Sequence, residues 1–581
     1  MDYDDSPLYV RLVAAAKRIL LSSSVTERAV FAALAAVALV SGLGLATMAA
    51  DRLLVAAPRR GGALVEGVVG TPRFANPVLA ASEADRDLSA LVFSGLTRLG
   101  VGGIEPDLAT YAVSEDGREY RFTIGEDARF HDGSAVTADD VVFTVGKTQD
   151  PELRSPRRGA WASVEVEKVG EREVMFRLKD AYPDFLAATT MGILPRSRFE
   201  KLSAQDFLYA PENVEPVGAG PFRVRRVLRE GGATVGYELG PWESGAGAAP
   251  YLASLSLRFY PDEAALAEAL RRNEVGSAYG LSPAAADSLA AEGFRVERHP
   301  LPRLYAVFFN QSHDPVLADR DVRAALDLAV DKPALVRAVL LGYGAPLDGP
   351  IPPAVSPPGV TPPAGQDTET PGVNSPAAAR AALERDGFAP GEDGVLARKT
   401  KKGTERLALA VATRDAAELV AAANLVADAW RRAGAAVEVK VYPLADLTDT
   451  VIRERDYDAL LFGEIVGRGA DLYGFWHSSQ RADPGLNVAS YTSSRVDDLL
   501  TKARVESDPA RRDELLASFA AEVEKDVPAV FLYAPEATYV LPRELSAPLP
   551  TLIATPAERF ALARDWHEDT QRVWPVFASW R

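Results

Sequence analysis

The apolar positions change their period several times along the chain, and each change marks a different kind of element. Residues 29–50, AVFAALAAVALVSGLGLATMAA, carry no charge, and as a helix they are long enough to cross the hydrocarbon core of a bilayer. The stretch exceeds the apolar core of a cleavable signal peptide, so an uncleaved transmembrane anchor is expected, with cleavage near Ala49 as the alternative. Upstream, residues 8–21, LYVRLVAAAKRILL, read as a short amphipathic helix lying at a membrane surface. Arg11, Lys17, Arg18 and Arg28 precede the span while Arg52, Arg59 and Arg60 follow it. Charge bias therefore favours an inside N-terminus only weakly. No second span follows, so the large C-terminal part lies on one side.

From residue 60 the pattern is one of short alternating strands and turns. Residues 62–69 read as a strand, and TPRFANP at 71–77 as an ordered loop. Residues 111–114 and 120–124 form hairpin arms around Asp116-Gly117, and 164–169 with 174–178 form a second hairpin. Thr137 and Asp140 have capping-box spacing ahead of a helix carrying Val141, Val142, Phe143 and Val145. Residues 63–301 thus read as α+β with much antiparallel sheet. Residues 304–310, LYAVFFN, are an apolar strand leading into a helical stretch at 322–330. The proline-rich segment 346–376 suits neither helix nor central strand and is expected to wrap a surface. Asp508-Pro509 opens a late helix with Leu515, Leu516, Phe519 and Val523 inward, and 527–533 is one more apolar strand.

Residues 406–478 have a different rhythm. Strands are predicted at 406–412, 436–442 and 457–462, with a helix between the first two whose apolar face is Leu419, Ala423, Val426 and Trp430. Asp415 and Glu418 have capping-box spacing at its start, and Gly434 stands at its C-cap. Strand–helix–strand repeats predict a parallel open sheet, which binds ligands beyond the C-terminal ends of its strands. The loop with Gly467 and Gly469 and the aromatics Tyr473, Phe475 and Trp476 occupy that place, so they are read as one wall of a binding cleft.

Composition narrows the functions available. The chain has 581 residues, more than one ordinary core accommodates. A net charge of −17 argues against nucleic acid as a partner. With no cysteine, disulfides, thiolate metal sites, a cysteine nucleophile and a lipid-modified N-terminal cysteine are all excluded. The five histidines show no HExxH spacing, and neither a GxSxG elbow nor a GxxxxGK[ST] loop occurs. His131-Asp132 has the look of a catalytic pair, but Asp132-Gly133 is better read as a turn. A carboxylate-dependent hydrolase and a ligand-sensing ectodomain remain as alternative readings.

The order of motifs resembles the extracellular solute-binding proteins of family 5, which serve ABC importers of oligopeptides, dipeptides or nickel. The matching pieces are FSGLTRLG at 93–100, EPDLAT at 105–110, DGREYRFTI at 116–124, FHDGSAVTADDVVFT at 130–144, VGAGPF at 217–222, DVRAAL at 321–326 with AVDK at 329–332, DLYGFWHS at 471–478 and the stretch 486–500. The resemblance implies an α/β (mixed α+β), two-lobed periplasmic-binding-protein-like fold of the class II, large cluster C type. Residues 1–28 would be cytoplasmic, 29–50 the anchor and 51–62 a linker. The first lobe would be 63–301 with 537–581, including an extra subdomain at about 86–200, and the second lobe 302–536, joined by crossing strands at 303–310 and 531–539.

The implied function is a membrane-anchored, single-pass, monomeric binding protein with its ectodomain outside the cell. It would be no enzyme, would need no cofactor, metal or nucleic acid, and would deliver a peptide or peptide-like solute to ABC permease subunits. Candidate ligand contacts are Phe74 and Asn76 after the first strand, Phe309 and Asn310 near the crossing, and Glu464, Ile465, Gly467, Arg468, Tyr473 and Trp476 around the cleft strand. One departure matters. Peptide binders of this family carry a Trp-x-Ala-Asp segment whose carboxylate holds the peptide's amino terminus, and ungapped placement on Asp471 puts Ile465 at that Trp and Arg468 at that Asp. An arginine there prefers a carboxylate or phosphate.

Overall fold

A 13-residue strand, Ala529–Leu541, runs through the middle of the fold, buried along almost its whole length. The computed structural model that contains it describes residues 24–179, 185–243, 247–357, 374–401 and 403–574, with Lys17 and Ser22. The amphipathic helix expected at 8–21 and most of the proline-rich segment lie outside the described residues. The chain divides into two units. One comprises Arg60–Glu568. The other holds the helix Val25–Leu53 and the strand Val55–Pro58, which pairs antiparallel with Thr570–Val573. Its stretch Val25–Gly44 is exposed, long and apolar enough to cross a membrane.

Within Arg60–Glu568 a 12-stranded sheet is continuous from one lobe to the other. The first half of Ala529–Leu541 pairs antiparallel with Arg303–Phe309 (Tyr305 opposite Tyr533, Phe308 opposite Ala529) and with Gly344–Pro346. Its second half pairs with Arg295–Pro300, from Pro300 opposite Glu536 to Arg295 opposite Leu541, and with Ser277–Tyr279. Two adjacent strands therefore pass between the lobes, antiparallel to each other. Beyond them the first lobe continues through Ser277–Tyr279, Ala63–Val69, Ser254–Tyr260, Ala233–Pro241 and Phe222–Glu230. The second lobe continues through Arg303–Phe309, Ala459–Ile465, Ala408–Arg414 and Ala436–Tyr442, the last three mutually parallel.

Alternation explains why the second-lobe sheet is covered on both faces. Val307, Phe309, Val530 and Leu532 point into one core with helix Ala417–Ala433, while Leu304, Ala306, Phe308 and Phe531 point into another with helices Ser494–Val505 and Pro509–Asp526. A separate antiparallel sheet of Ala109–Val113, Glu119–Ile124, Glu173–Leu178 and Val164–Lys168 carries its own core, with Phe122, Phe176 and helix Ala138–Gln149. The Thr137–Asp140 capping box forms as its spacing predicts.

Two local expectations need correction. The helix Ala417–Ala433 begins one residue later than a box of Asp415 and Glu418 requires, so its N-cap is Ala416, which has no side-chain acceptor, and Glu418 accepts a 2.8 Å hydrogen bond from the Tyr533 hydroxyl of the crossing strand. The cleft strand starts at Ala459 and runs on through Gly463 and Glu464 to Ile465. Pairing with Arg303–Phe309 extends it, while the Asp458 carboxylate turns to the Ala410 amide at 2.8 Å.

A buried charge cluster ties the first lobe together. Arg559 donates to Glu66 at 2.9 Å and to both Asp87 oxygens at 2.9 and 2.7 Å, and all three residues are buried. The Ser277 and Tyr539 hydroxyls donate to the other Glu66 oxygen. Burial raises the Glu66 carboxyl above its usual range with Arg559 pulling against it, and the two carboxylates hold the Arg559 guanidinium firmly protonated. Arg559→Met leaves two buried carboxylates without their cation, so unfolding in urea should show a loss of ~3–5 kcal/mol, the usual cost of breaking a buried pair by removing one partner. An unchanged urea midpoint would contradict this account.

Candidate functional site

The cleft between the lobes has a volume of about 770 Å³. Its first-lobe wall begins with helix Glu83–Val92 and the residue after it. Arg86, Ser89, Ala90 and Phe93 recur at helical spacing and all line the cleft, while Leu88, Leu91 and Val92 face the core. Ser82 and Asp85 form the capping box of this helix. Asp85 does more than cap, because its carboxylate also accepts hydrogen bonds from the amides of Arg73, Phe74 and Ala81 at 2.7, 2.9 and 3.1 Å. One buried side chain thereby fixes both the helix start and the loop before it.

The VGAGPF motif meets the other end of that helix. A Cβ on Gly218 would lie 2.0 Å from the Val92 carbonyl oxygen, so only glycine admits this approach. The Gly220 amide donates to the same carbonyl at 2.8 Å. His131 is absorbed here too. Its Nε2 lies 3.0 Å from the Gly220 carbonyl, and burial lowers its pKa to about 4. Asp132 turns instead to Ser134 and to Arg198 at 2.9 Å. The two side chains have separate structural partners and make no acid–base pair.

The second-lobe wall is the loop after the cleft strand. The Val466 amide donates to the Pro302 carbonyl at 2.9 Å, and Gly467 follows in the left-handed region at φ +74°. Arg468 then reaches across the cleft. It donates to the Glu558 carboxylate at 2.5 Å and to the Leu552 carbonyl at 2.7 Å, both in the tail that returns to the first lobe. Glu558 also accepts from the Ala554 amide at 2.8 Å. This ion pair joins the two walls directly.

The remaining candidates sit elsewhere. Asn76 is buried and bridges Asn213 and the Val78 amide, while Phe74 packs against the first-lobe core under the Arg73 guanidinium. Phe309 stacks on Trp430 in the second-lobe core, and Asn310 bonds the Arg455 carbonyl and the Ser312 amide. Ile465 is exposed. Tyr473 stacks on His477 at 4.1 Å with Arg504 over its ring, and Trp476 is buried among Phe308, Phe519, Phe531 and Tyr491. Of the ten candidates, Gly467 and Arg468 line the cleft. Sequence reading missed Arg86, Arg157, Asp107, Glu558 and Arg564, which come from four separate stretches of the chain. The helical spacing of residues 86, 89, 90 and 93 is the signal that points to the first of these. Among the described residues no cluster of His, Asp or Glu is arranged to hold a metal ion.

Glu464 is the most unusual carboxylate. It is 3% exposed, opposite Leu304 in the sheet, and neither oxygen finds a hydrogen-bond partner among the described residues. Burial lifts its pKa to about 8, with the Trp476 indole close enough to pull the other way. The folded protein therefore holds a proton there that the unfolded chain releases above the ordinary Glu value of ~4.3. Stability from this group should be fully present below that value and fall as pH rises toward 8. Glu464→Gln should remove this fall, so melting curves of the variant across pH 5–8.5 should be flatter than those of wild type. An unchanged slope would show that Glu464 is ionised in the fold.

Residues 103–484 match the family described as bacterial extracellular solute-binding proteins, family 5 Middle. The oligopeptide-binding protein AppA of Bacillus subtilis is 26% identical over 84% of this chain and 89% of its own length. Protein XP55 of Streptomyces lividans is 29% identical over 82% of this chain and 84% of its own. The solved structure of B. subtilis AppA in complex with a nonapeptide superposes with a TM-score of 0.63 at 24% identity, covering 88% of this chain and all (100%) of that one.

Proposed function

Because the chain belongs to the bacterial extracellular solute-binding proteins of family 5, a family of binding proteins and not of enzymes, we propose that it captures a peptide or peptide-like solute between its lobes and hands it to the permease of an ABC importer. The observation that carries this reading is the cleft itself. Its walls come from both lobes, and the lobes are joined in the sheet by two adjacent strands. Bending at those strands opens and closes the space between the walls, and a solute that touches both walls favours the closed arrangement. A relative bearing the name oligopeptide-binding protein supports a peptide as the solute.

The lobes are taken as 63–301 with the returning tail from 537, and 302–536. On this reading Gly467 and Arg468 form the second-lobe wall, and the chain acts as a monomer. The helix Val25–Leu53 serves as a single-pass anchor, with residues 1–28 inside the cell and the binding unit outside. Its exposed apolar stretch supports this role.

Two experiments test the proposal. After carbonate washing, the full chain should remain in the membrane fraction with its N-terminal segment intact. Recovery of a soluble form beginning near Ala50 would make the helix a cleaved signal. In hydrogen exchange, adding a tripeptide pool to the detergent-solubilised chain should slow exchange at 303–309, at 529–541 and in the 466–471 loop, with the peptides recovered unchanged. Turnover of the peptides, or protection confined to one lobe, would contradict capture by closure.

A further inference from the structure

The charge balance of the cleft is opposite in sign to that of the chain as a whole. The chain as a whole carries −17, yet its cleft is lined by five arginines (86, 98, 157, 468 and 564) against the three carboxylates Asp107, Asp471 and Glu558. Most of these charges have partners. Arg98 pairs with Glu105 at 2.8 Å, Arg468 with Glu558 at 2.5 Å and Arg564 with Asp107 at 3.2 Å, while Asp471 turns to Arg504 at 3.4 Å. Two guanidiniums are left over. Among the described residues, Arg86 donates to the Ala81 carbonyl at 2.5 Å and meets no carboxylate, and the Arg157 side chain has no hydrogen-bond or ion-pair partner.

Both stand on the first-lobe wall, Arg86 on the cleft face of helix Glu83–Val92 and Arg157 at the start of the short helix Arg158–Trp161. Both line the same cleft. Enclosure by protein and the positive charge of Arg86 both push the Arg157 pKa down, and Glu558 offsets part of this. Arg157 lines the cleft and its side chain is exposed to the water inside it. A guanidinium that lines a cleft without a carboxylate partner, with a second one on the same wall, is a site ready for an oxyanion. Phe93, Leu99, Ile104, Met191 and Phe560 line the same cleft and suit an apolar body behind the charge.

We propose that Arg157, with Arg86 beside it, binds a carboxylate of the solute, so that this protein selects anionic peptides or peptide-like anions. The proposal rests on the cleft being the solute site. It transfers the anion-reading task from Arg468, whose charge is taken by Glu558, to a residue on the opposite wall. Arg157 is then a specificity-determining contact, and the carboxylate fits its two-pronged donor face.

The test is competition measured by native mass spectrometry on the full chain in detergent. The probes are an equimolar tripeptide pool with free C-termini and the same pool with amidated C-termini. Wild type should retain the free-acid pool. From the amidated pool it should retain at most members with Asp or Glu, which would assign the bound carboxylate to a side chain rather than to the peptide terminus. Arg157→Ala should lower retention by about 10-fold, the scale of losing one charge-assisted contact to a carboxylate. Arg157→Lys should restore part of it, since it keeps the charge and loses the fork. Melting curves of both variants should match wild type, because the side chain makes no structural bond. Retention of neutral amidated peptides as strongly as free acids, or unchanged retention by Arg157→Ala, overturns the anion site and leaves the solute-binding reading intact. Retention of neither pool by wild type overturns the peptide reading as well.

Discussion

The first lobe is organised around a single guanidinium. Arg559 joins the returning tail to the first strand through Glu66 and to helix Glu83–Val92 through Asp87, and Glu66 is in turn held by Tyr539 of the crossing strand and Ser277. Segments hundreds of residues apart are thereby fixed to one point. The attraction within such a cluster is largely offset by the cost of stripping water from three charges. Its effect on the fold lies in what it forbids. Any arrangement that moves the tail, the helix or the first strand separately leaves a buried charge without its partner. The helix that carries Arg86 on one face carries Asp87 on another, so the geometry of the cleft wall follows from the cluster beneath it.

The crossing strand sets the second constraint. Ala529–Leu541 has hydrogen-bonded neighbours in both lobes, and its side chains enter the cores of both. Tyr533 lies in the second lobe, where its hydroxyl donates to Glu418, and Tyr539 lies in the first, where its hydroxyl donates to Glu66. Each end of the strand is thus anchored by a buried tyrosine bonded to a carboxylate. Between them, at Ala534 to Ala537, the strand exchanges its second-lobe neighbour Gly344–Pro346 for Arg295–Pro300 of the first lobe, which is where a change of angle between the lobes is taken up. A hinge of this kind keeps each lobe rigid up to the residue at which it bends.

How much of this was legible in the sequence follows from how far each signal reaches. The strand 436–442 and the hairpin around Asp116-Gly117 were readable because alternation and turn chemistry are local. The Asp415–Glu418 capping box was misread because the helix starts after Ala416, and Glu418 is held by a tyrosine 115 residues away. The inward position of Glu464 was accessible in principle, since residues 460, 462 and 464 share one face of the strand, and Leu460 and Phe462 lie in or against one core. An apolar aromatic cluster after a cleft strand looks the same in sequence whether it lines a ligand or a core, and Tyr473 and Trp476 belong to the second-lobe interior. The first-lobe wall was beyond reach for another reason. Arg86, Arg157 and Glu558 become neighbours only once the tail has returned and docked on Arg559.

The ion pair across the cleft is of a size that leaves the solute in control. Arg468 and Glu558 are each about a quarter exposed (24% and 26%), and partly solvated pairs of this kind are worth ~1 kcal/mol or less. Moving a two-state equilibrium from almost fully open to almost fully closed takes about 5.5 kcal/mol. The pair alone therefore falls well short of closing the lobes. It favours the register in which the 466–471 loop faces the tail, and it neutralises Glu558, a carboxylate of the same cleft as Arg157. A negative charge brought in by a solute then meets a cleft whose carboxylates, Asp107, Asp471 and Glu558, already have arginine partners.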